Sequence, residues 1–226
     1  AQLGGDPSEW LLTYPGILRQ QHSAEGVGLI NSGPEVDGVV RRLPLVVGSG
    51  GKLFPSFALE MLRVGVGDPS YQIKTGETGV EWLRIPNFPV INTDSNGRVW
   101  ITNNIKFYRQ SAAEFLRQPV EGAAFVIAGV TAEGVVNPVP TASGAIYPHE
   151  IQANVLHHLI NGTSPVEPVW ADAAELGAAV LFIVILLLAA SNVYFSLPIF
   201  LTSAGGLIYG SWYAYQSSYL LDVSGT

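Results

Sequence analysis

Four histidines, His22, His149, His157 and His158, are the side chains best suited to acid–base or metal chemistry in a chain of 226 residues that has no cysteine. Without a thiol there is no disulfide framework, no thiolate metal centre and no cysteine nucleophile. His157 and His158 are adjacent, and neighbouring residues on a helix point about 100° apart, so the pair does not converge on one ion. His158 falls seven residues after Ile151, near an apolar helical stripe, where a hydrogen-bonded, half-buried histidine is the plain expectation. Serine chemistry has no better footing, because the chain contains neither a Gly-x-Ser-x-Gly elbow nor a His-Glu-x-x-His pair. Gly48 to Gly51 lacks the Lys-Ser or Lys-Thr of a phosphate loop and reads as a hairpin turn. The residues therefore assign no catalytic group, no metal site and no cofactor, and the chain reads as a receiver and not as an enzyme.

Binding has more support than catalysis. The stretch from Thr131 to Tyr147 is rich in Pro, Gly, Ser and Thr, and Pro148 then opens a helix whose Ile151, Val155 and Leu159 share one face. Loops beside strand ends commonly form sites. Thr131, Glu133, Asn137 and Thr141 in the loop, with His149, Glu150 and Asn154 at the start of the helix, are the candidate surface for a small molecule or a protein partner.

The elements that must position this surface read as α/β (α+β) with a mixed sheet. A short helix is expected at about 16–24. A β run at 27–31 and a strand at 39–47 follow, divided by the turn residues Gly33, Pro34, Asp37 and Gly38. After Pro55 and Ser56, the residues Phe57, Leu59, Met61, Leu62 and Val64 form an apolar helix ended by Gly65 and Gly67. Short β segments at 71–74, 80–85, 90–92 and 98–102 suggest a meander, with Asn96-Gly97 as its strongest hairpin turn. Ser111 and Glu114 sit at capping-box spacing for a helix to Arg117, expected against the sheet. Ala123 to Gly129 is a continuous apolar run, the pattern of a central strand covered on both faces. Gly162 stops the helix that Pro148 starts.

Charge divides the chain in two. From Leu176 to Leu221 there are 46 residues without Asp, Glu, Lys or Arg, whereas the 175 before them hold all but one of the charged residues. A bilayer core about 30 Å thick needs roughly 20 apolar residues of helix, so this length suits a transmembrane helical hairpin with spans near 173–193 and 196–216. Ser191, Asn192, Ser196 and Pro198 mark the break between them. The expected organisation is a domain at 1–168, two membrane helices within 169–221, and the start of a further segment at 222–226. Trp170, Trp212, Tyr213 and Tyr215 are placed to settle at one membrane interface, so both ends of the hairpin face the domain's side. Gly206 and Gly210 form a small-x-x-x-small pair for helix packing, within the bundle or between copies. All eleven Lys and Arg lie at or before Arg117, and the first 175 residues carry a net charge of about −6, which excludes a nucleic-acid partner.

Four segments together resemble one known family. They are GLINSGPEVDGVVRRLPLVV (28–47), KLFPSFALEML (52–62), AAFVIAGVTAEG (123–134) and YPHEIQANVLHHLING (147–162). In order and spacing they resemble the type-two CHASE domain, the cyclase and histidine-kinase associated sensory extracellular domain. Two departures stand out: the family usually has an Asp where this chain has Asn137 and a His where it has Gln152, so the resemblance carries no ligand role onto these positions. It implies an extracytoplasmic sensory α/β domain of a bacterial inner-membrane protein, on the periplasmic side. In the family a leading membrane helix and a βαβ segment come first, and three spans and a cytoplasmic output domain follow. An extracytoplasmic domain followed by two spans returns its C-terminus to the starting side, so inward signalling needs a third crossing. Two functions are expected from this: a sensor that binds a small molecule or protein, or an accessory subunit docked on a larger membrane complex. Membrane lipid and a protein partner, or a second copy met through the membrane helices, are the expected contacts.

Overall fold

The computed structural model describes residues 24–30, 32–49, 52–76, 79–101, 105–132, 134–165, 171–189, 193–216 and 219–220. The helix expected at about 16–24 falls almost wholly outside them. The chain divides into two compact units, Ala1–Ser164 and Pro165–Thr226.

Unit 1 builds its strands in short pieces: β1 (Arg42–Pro44), β2 (Val46–Ser49), β3 (Lys52–Pro55), β4 (Gln72–Gly76), β5 (Gly79–Arg84), β6 (Ile91–Asn92), β7 (Arg98–Trp100), β8 (Val139–Thr141) and β9 (Gly144–Ile146). Its helices are α1 (Phe57–Val66), α2 (Ala112–Arg117) and α3 (Pro148–Asn161). The strands make four small antiparallel sheets, β1-β7, β2-β3, β4-β5-β6 and β8-β9, and the parallel contacts are single bridges at Leu29–Ser56 and Val40–Thr141. The expected mixed sheet is thus replaced by fragments sewn together by isolated backbone bonds. Leu45 N–H donates to Gly97 O, Ser56 N–H to Leu45 O, and Val40 N–H to Pro140 O.

Several strand expectations need correction. Of the β run at 27–31, the described residues 27–30 hold only the bridge at Leu29, and the run at 39–47 is broken at Leu45, where the chain bends from β1 into β2. Asn96-Gly97 does sit in a tight turn, with Gly97 N–H donating to Asp94 O. The strand after that turn nevertheless pairs with β1 rather than with β6. Helix α2 buries none of its residues, so it does not lie against a sheet; its Ser111 cap is present, Oγ accepting from Glu114 N–H at 3.2 Å. The largest correction concerns Ala123 to Gly129, which forms no strand among the described residues. Phe125 and Ile127 are half-buried against the core while Ala124, Val126 and Ala128 are exposed, so the run is extended but covered on one side only.

The core lies between α1, α3 and the sheet fragments. Leu43, Leu45, Leu59, Leu83, Ile85, Ile151 and Val155 are all below 2 % exposed. Burying each such side chain contributes about 1.5–3 kcal/mol, which is how such short ladders hold together. Helix α1 starts where Ser56 Oγ accepts from Leu59 N–H and ends at Gly67 in the left-handed region. Gln152, fully buried on α3, accepts from Ala58 N–H at 2.9 Å and so joins the two helices. A close backbone passage seats residues 26–29 on α1, where Leu29 N–H donates to Pro55 O and Phe57 N–H to Leu29 O. Beside it, Glu60 accepts from Arg63 and from the Tyr71 hydroxyl, and Arg63 also donates to the carbonyls of Glu25 and Asp68.

Ion pairs tie residues 35–42 to the turn at 94–98. Arg41 bridges Glu35 and Asp37, Arg42 bridges Glu35 and Asp94 and lies over the Trp100 ring, and Arg98 closes on Asp94. The hydrogen bonds from Arg41 and from Val39 N–H hold the Asp37 carboxyl at about 2. An NMR titration is expected to find Asp37 still ionised at pH 3, and the Arg41→Ala chain to return it toward 3.8.

Unit 2 is a helical pair, α4 (Ala171–Ala189) and α5 (Val193–Gln216), with the Phe182 and Phe200 rings 5.8 Å apart. Leu176, Leu181, Leu187, Leu201 and Ile208 are 60 % or more exposed. Thr202 and Ser203 turn their hydroxyls back onto the carbonyls of Pro198, Ile199 and Phe200 in the preceding turn. The two helices fall close to the spans expected from sequence. Among the described residues, however, no helix is long and apolar enough to cross a membrane. Asp172 and Glu175 enter the first helix, and Pro198, several hydroxyl and glycine positions and the closing tyrosines dilute the second.

Candidate functional site

Helix α3 begins from a rigid corner. Pro148 at the first helical position has no N–H to satisfy, and Tyr147 N–H donates to Glu150 Oε2 at 3.3 Å, which fixes the carboxylate against the helix start. The Tyr147 hydroxyl reaches back across the loop to donate to Thr131 O at 3.2 Å. Its ring stacks on His149, centroids 5.8 Å apart at 24°. The His149 imidazole also lies where a side chain on Gly129 would begin, so the backbone at residue 129 approaches the ring closely because it carries none.

A second segment runs along the same helix. Arg109 Nη2 pairs with Glu150 Oε1 at 2.8 Å, and Phe107 meets the His157 ring edge-on at 6.3 Å. Glu150 is mostly buried on the side chain while Arg109 is three-quarters exposed, so the pair adds at most about 1 kcal/mol and the arginine can leave it at little cost. One turn on, Asn154 Nδ2 donates to Glu150 O at 2.9 Å, and its Oδ1 is buried with no hydrogen-bond partner among the described residues. Further along, His158 is buried and its Nδ1 engages Thr163 Oγ1 at 2.7 Å, the satisfied role expected for it.

The structure thus gathers four of the seven residues proposed from sequence: the Thr131 carbonyl, His149, Glu150 and Asn154. Thr141 is buried in the β8-β9 turn, where its hydroxyl bonds Gly144 O. Asn137 is exposed on the loop, and among the described residues no hydrogen bond ties it to the cluster. Glu133 and Trp170 lie outside the described residues. Arg109, Gly129 and Tyr147 were missed; the first two come from distant parts of the chain and carry no local signal. Trp212, Tyr213 and Tyr215 are exposed near the end of α5. A side chain placed at Gly206 or Gly210 would meet nothing within 4 Å, so this small-residue face is not used in packing α4 on α5.

The arrangement suits recognition: a carboxylate, a guanidinium and an aromatic pair gather at the first turn of α3, and an amide oxygen with no hydrogen-bond partner among the described residues follows one turn on. Among the described residues no group of three or more His, Asp or Glu could hold a metal ion. Changing Gly129 to alanine is expected to displace the His149 ring and lower stability by about 1–3 kcal/mol. The check is the His149 ring resonance, which should move while that of His157 stays in place.

No curated protein and no solved structure matches the chain. A profile of the CHASE2 domain matches residues 9–190, a span that contains the whole candidate surface and the first helix of unit 2. CHASE2 domains are extracytoplasmic sensory domains of membrane signalling proteins, and with four-fifths of its length matched this chain belongs to the CHASE2 domain family.

Proposed function

We propose that the chain is the receiving part of a bacterial inner-membrane signalling protein, with unit 1 on the periplasmic side and unit 2 seated in the bilayer. The surface formed by Tyr147, His149, Glu150 and Arg109, with the buried Asn154 next along α3, is the site that takes a small molecule or a partner protein. The observation that carries this reading is the ion pair between half-buried Glu150 and exposed Arg109: it can open to offer both charges to a ligand without disturbing the core. A ligand that binds one arrangement better shifts the population toward it, by no more than its differential affinity. The test is a thermal-shift screen of small metabolites on the wild-type chain, repeated on Glu150→Gln and Arg109→Ala. At least one compound should raise the melting temperature of the wild type and lose most of that effect in both variants. A compound that stabilises all three chains equally would move the site elsewhere.

The exposed apolar side chains of α4 and α5 support seating in the bilayer, because monomeric soluble proteins rarely expose so continuous a surface. With no native cysteine, single-cysteine labelling tests it directly. Asn161→Cys and Gln216→Cys, both at exposed positions, should react with a membrane-impermeant maleimide added outside spheroplasts, and Asn192→Cys only after lysis. Extraction of the chain by alkaline carbonate would rule the arrangement out. A second reading, an accessory subunit docked on a larger membrane assembly, is favoured by the open Gly206 and Gly210 face; a stoichiometric partner lost on Gly206→Leu would establish it.

A further inference from the structure

Glu150 and Asn154 stand four residues apart on α3, so their side chains share one face of the helix. Both present acceptors there. Glu150 Oε2 takes the Tyr147 N–H, and among the described residues Oε1 is met by Arg109 alone. The Oδ1 of Asn154, a residue only 4 % exposed, meets no donor among the described residues. The face therefore offers more acceptor capacity than its one resident cation fills. That cation is also the member of the pair that can move, since the Glu150 side chain is 14 % exposed and the Arg109 side chain 75 %.

This asymmetry, resting on the reading of the surface as a receiving site, limits the charge that an occupant can carry. An anion alone would draw Arg109 away and strand the enclosed Glu150 carboxylate, and an enclosed charge without its partner is strongly disfavoured. A cation alone would compete for Glu150 with a guanidinium tethered beside it, which acts at an effective concentration far above that of a dissolved amine. A molecule that bears both charges meets neither obstacle, because the displaced guanidinium becomes its second contact. We propose that the surface takes a free α-amino acid as its zwitterion, the ammonium on Glu150 and the carboxylate on Arg109.

The donor and acceptor inventory fits. An ammonium carries three N–H donors, enough for Glu150 Oε1 with one to spare for Asn154 Oδ1. A carboxylate accepts the planar guanidinium fork through both oxygens, and Arg109 has no partner besides Glu150 among the described residues. In an α-amino acid the two charged groups hang on one carbon, so a single small molecule entering the pair turns one contact of 2.8 Å into two of the same kind. The arginine needs only to swing outward, and the core behind Glu150 stays as it is.

The test is thermal-shift titration of the full chain in mild detergent with the standard α-amino acids, each active one followed by its methyl ester and its N-acetyl derivative. The ester keeps only the ammonium and the acetylated form only the carboxylate. At least one amino acid should raise the melting temperature, and both derivatives should bind roughly ten-fold or more weakly, since each gives up a hydrogen-bonded charge. Glu150→Gln and Arg109→Ala, checked for an intact fold by circular dichroism, should weaken the free amino acid by a similar factor. Arg109→Lys, which keeps the charge but not the fork, should recover part of it. A derivative that binds as well as its parent overturns the proposal, because one charge is then enough. A response that survives unchanged in both Glu150→Gln and Arg109→Ala overturns it as well, and removes the receiving site with it. Silence from every amino acid also overturns it, but a compound of another class whose effect is lost in both variants would leave the site in place.

Discussion

Replacing Gly28 with valine is expected to destabilise unit 1 by about 3 kcal/mol or more, enough to unfold a large fraction of it in a protein of ordinary stability. A Cβ at this position would lie 2.5 Å from Phe57 Cα, 2.7 Å from Phe57 N and 2.8 Å from Ser56 O. All three are backbone atoms at the start of α1, so no side-chain rotation relieves the contact. The segment must instead lift away, which breaks the bonds that Leu29 makes with Pro55 O and Phe57 N–H. Gly33 supplies the comparison, since a Cβ there meets nothing within 4 Å and its substitution should be near neutral. Urea denaturation followed by tryptophan fluorescence measures both. A midpoint for Gly28→Val within experimental error of the wild type would show that residues 26–29 are not seated on α1 in solution.

Truncating Glu60 to alanine is expected to cost about 2–4 kcal/mol, because Arg63 is then left largely enclosed with its principal partner removed. The pair also gives stability a particular dependence on pH. Burial pushes the Glu60 carboxyl up, but hydrogen bonds from Arg63 and Tyr71 outweigh it and hold the group below its ordinary 4.5. A carboxyl lowered on folding contributes stability that is present above 4.5 and lost as pH falls through the folded value. Tyr71 moves the other way: burial first, then its bond to Glu60, holds the phenol above its ordinary 10. The folded chain keeps a proton that the unfolded chain releases, so this contribution is present below pH 10 and is lost as pH rises from there toward the folded value. Stability from this network therefore has a plateau between about pH 4.5 and 10. Of the nine tyrosines, Tyr71 should be among the last to give a tyrosinate absorbance. In Glu60→Ala both the acid loss and the alkaline lag should shrink, and a titration unchanged from the wild type would show that the network does not form.

How much of this was legible in the sequence depended on whether a feature was local. Helices α1 and α3 carry their own punctuation, Ser56 and Gly67 for one and Pro148 and Gly162 for the other, and both were found. The β2-β3 hairpin was legible from the glycines at its turn. The pairing of β1 with β7 was not, because Pro44 and its partner Arg98 are 54 positions apart and nothing in Arg42–Pro44 names a partner. Ala123 to Gly129 shows the ambiguity of a short apolar run: it fits a strand covered on two faces, yet Val126 and Ala128 face out and only Phe125 and Ile127 reach the core. The same division holds for the site. His149 and Glu150 could be singled out because they open a helix after a polar loop, whereas the Arg109 guanidinium and the glycine backbone behind His149 come from segments that meet the helix only on folding.

The inward-turned hydroxyls of Thr202 and Ser203 set the terms on which α5 can meet anything else. Each is already spent on carbonyls of its own helix, and Pro198 has removed a backbone donor from the same stretch. What remains on that stretch is surface shape: the bare backbone at Gly206 and Gly210 beside bulky apolar neighbours. A contact made along that stretch would depend on contour and close approach, so it is expected to be indifferent to ionic strength and weakened by a single methyl group added at Gly206.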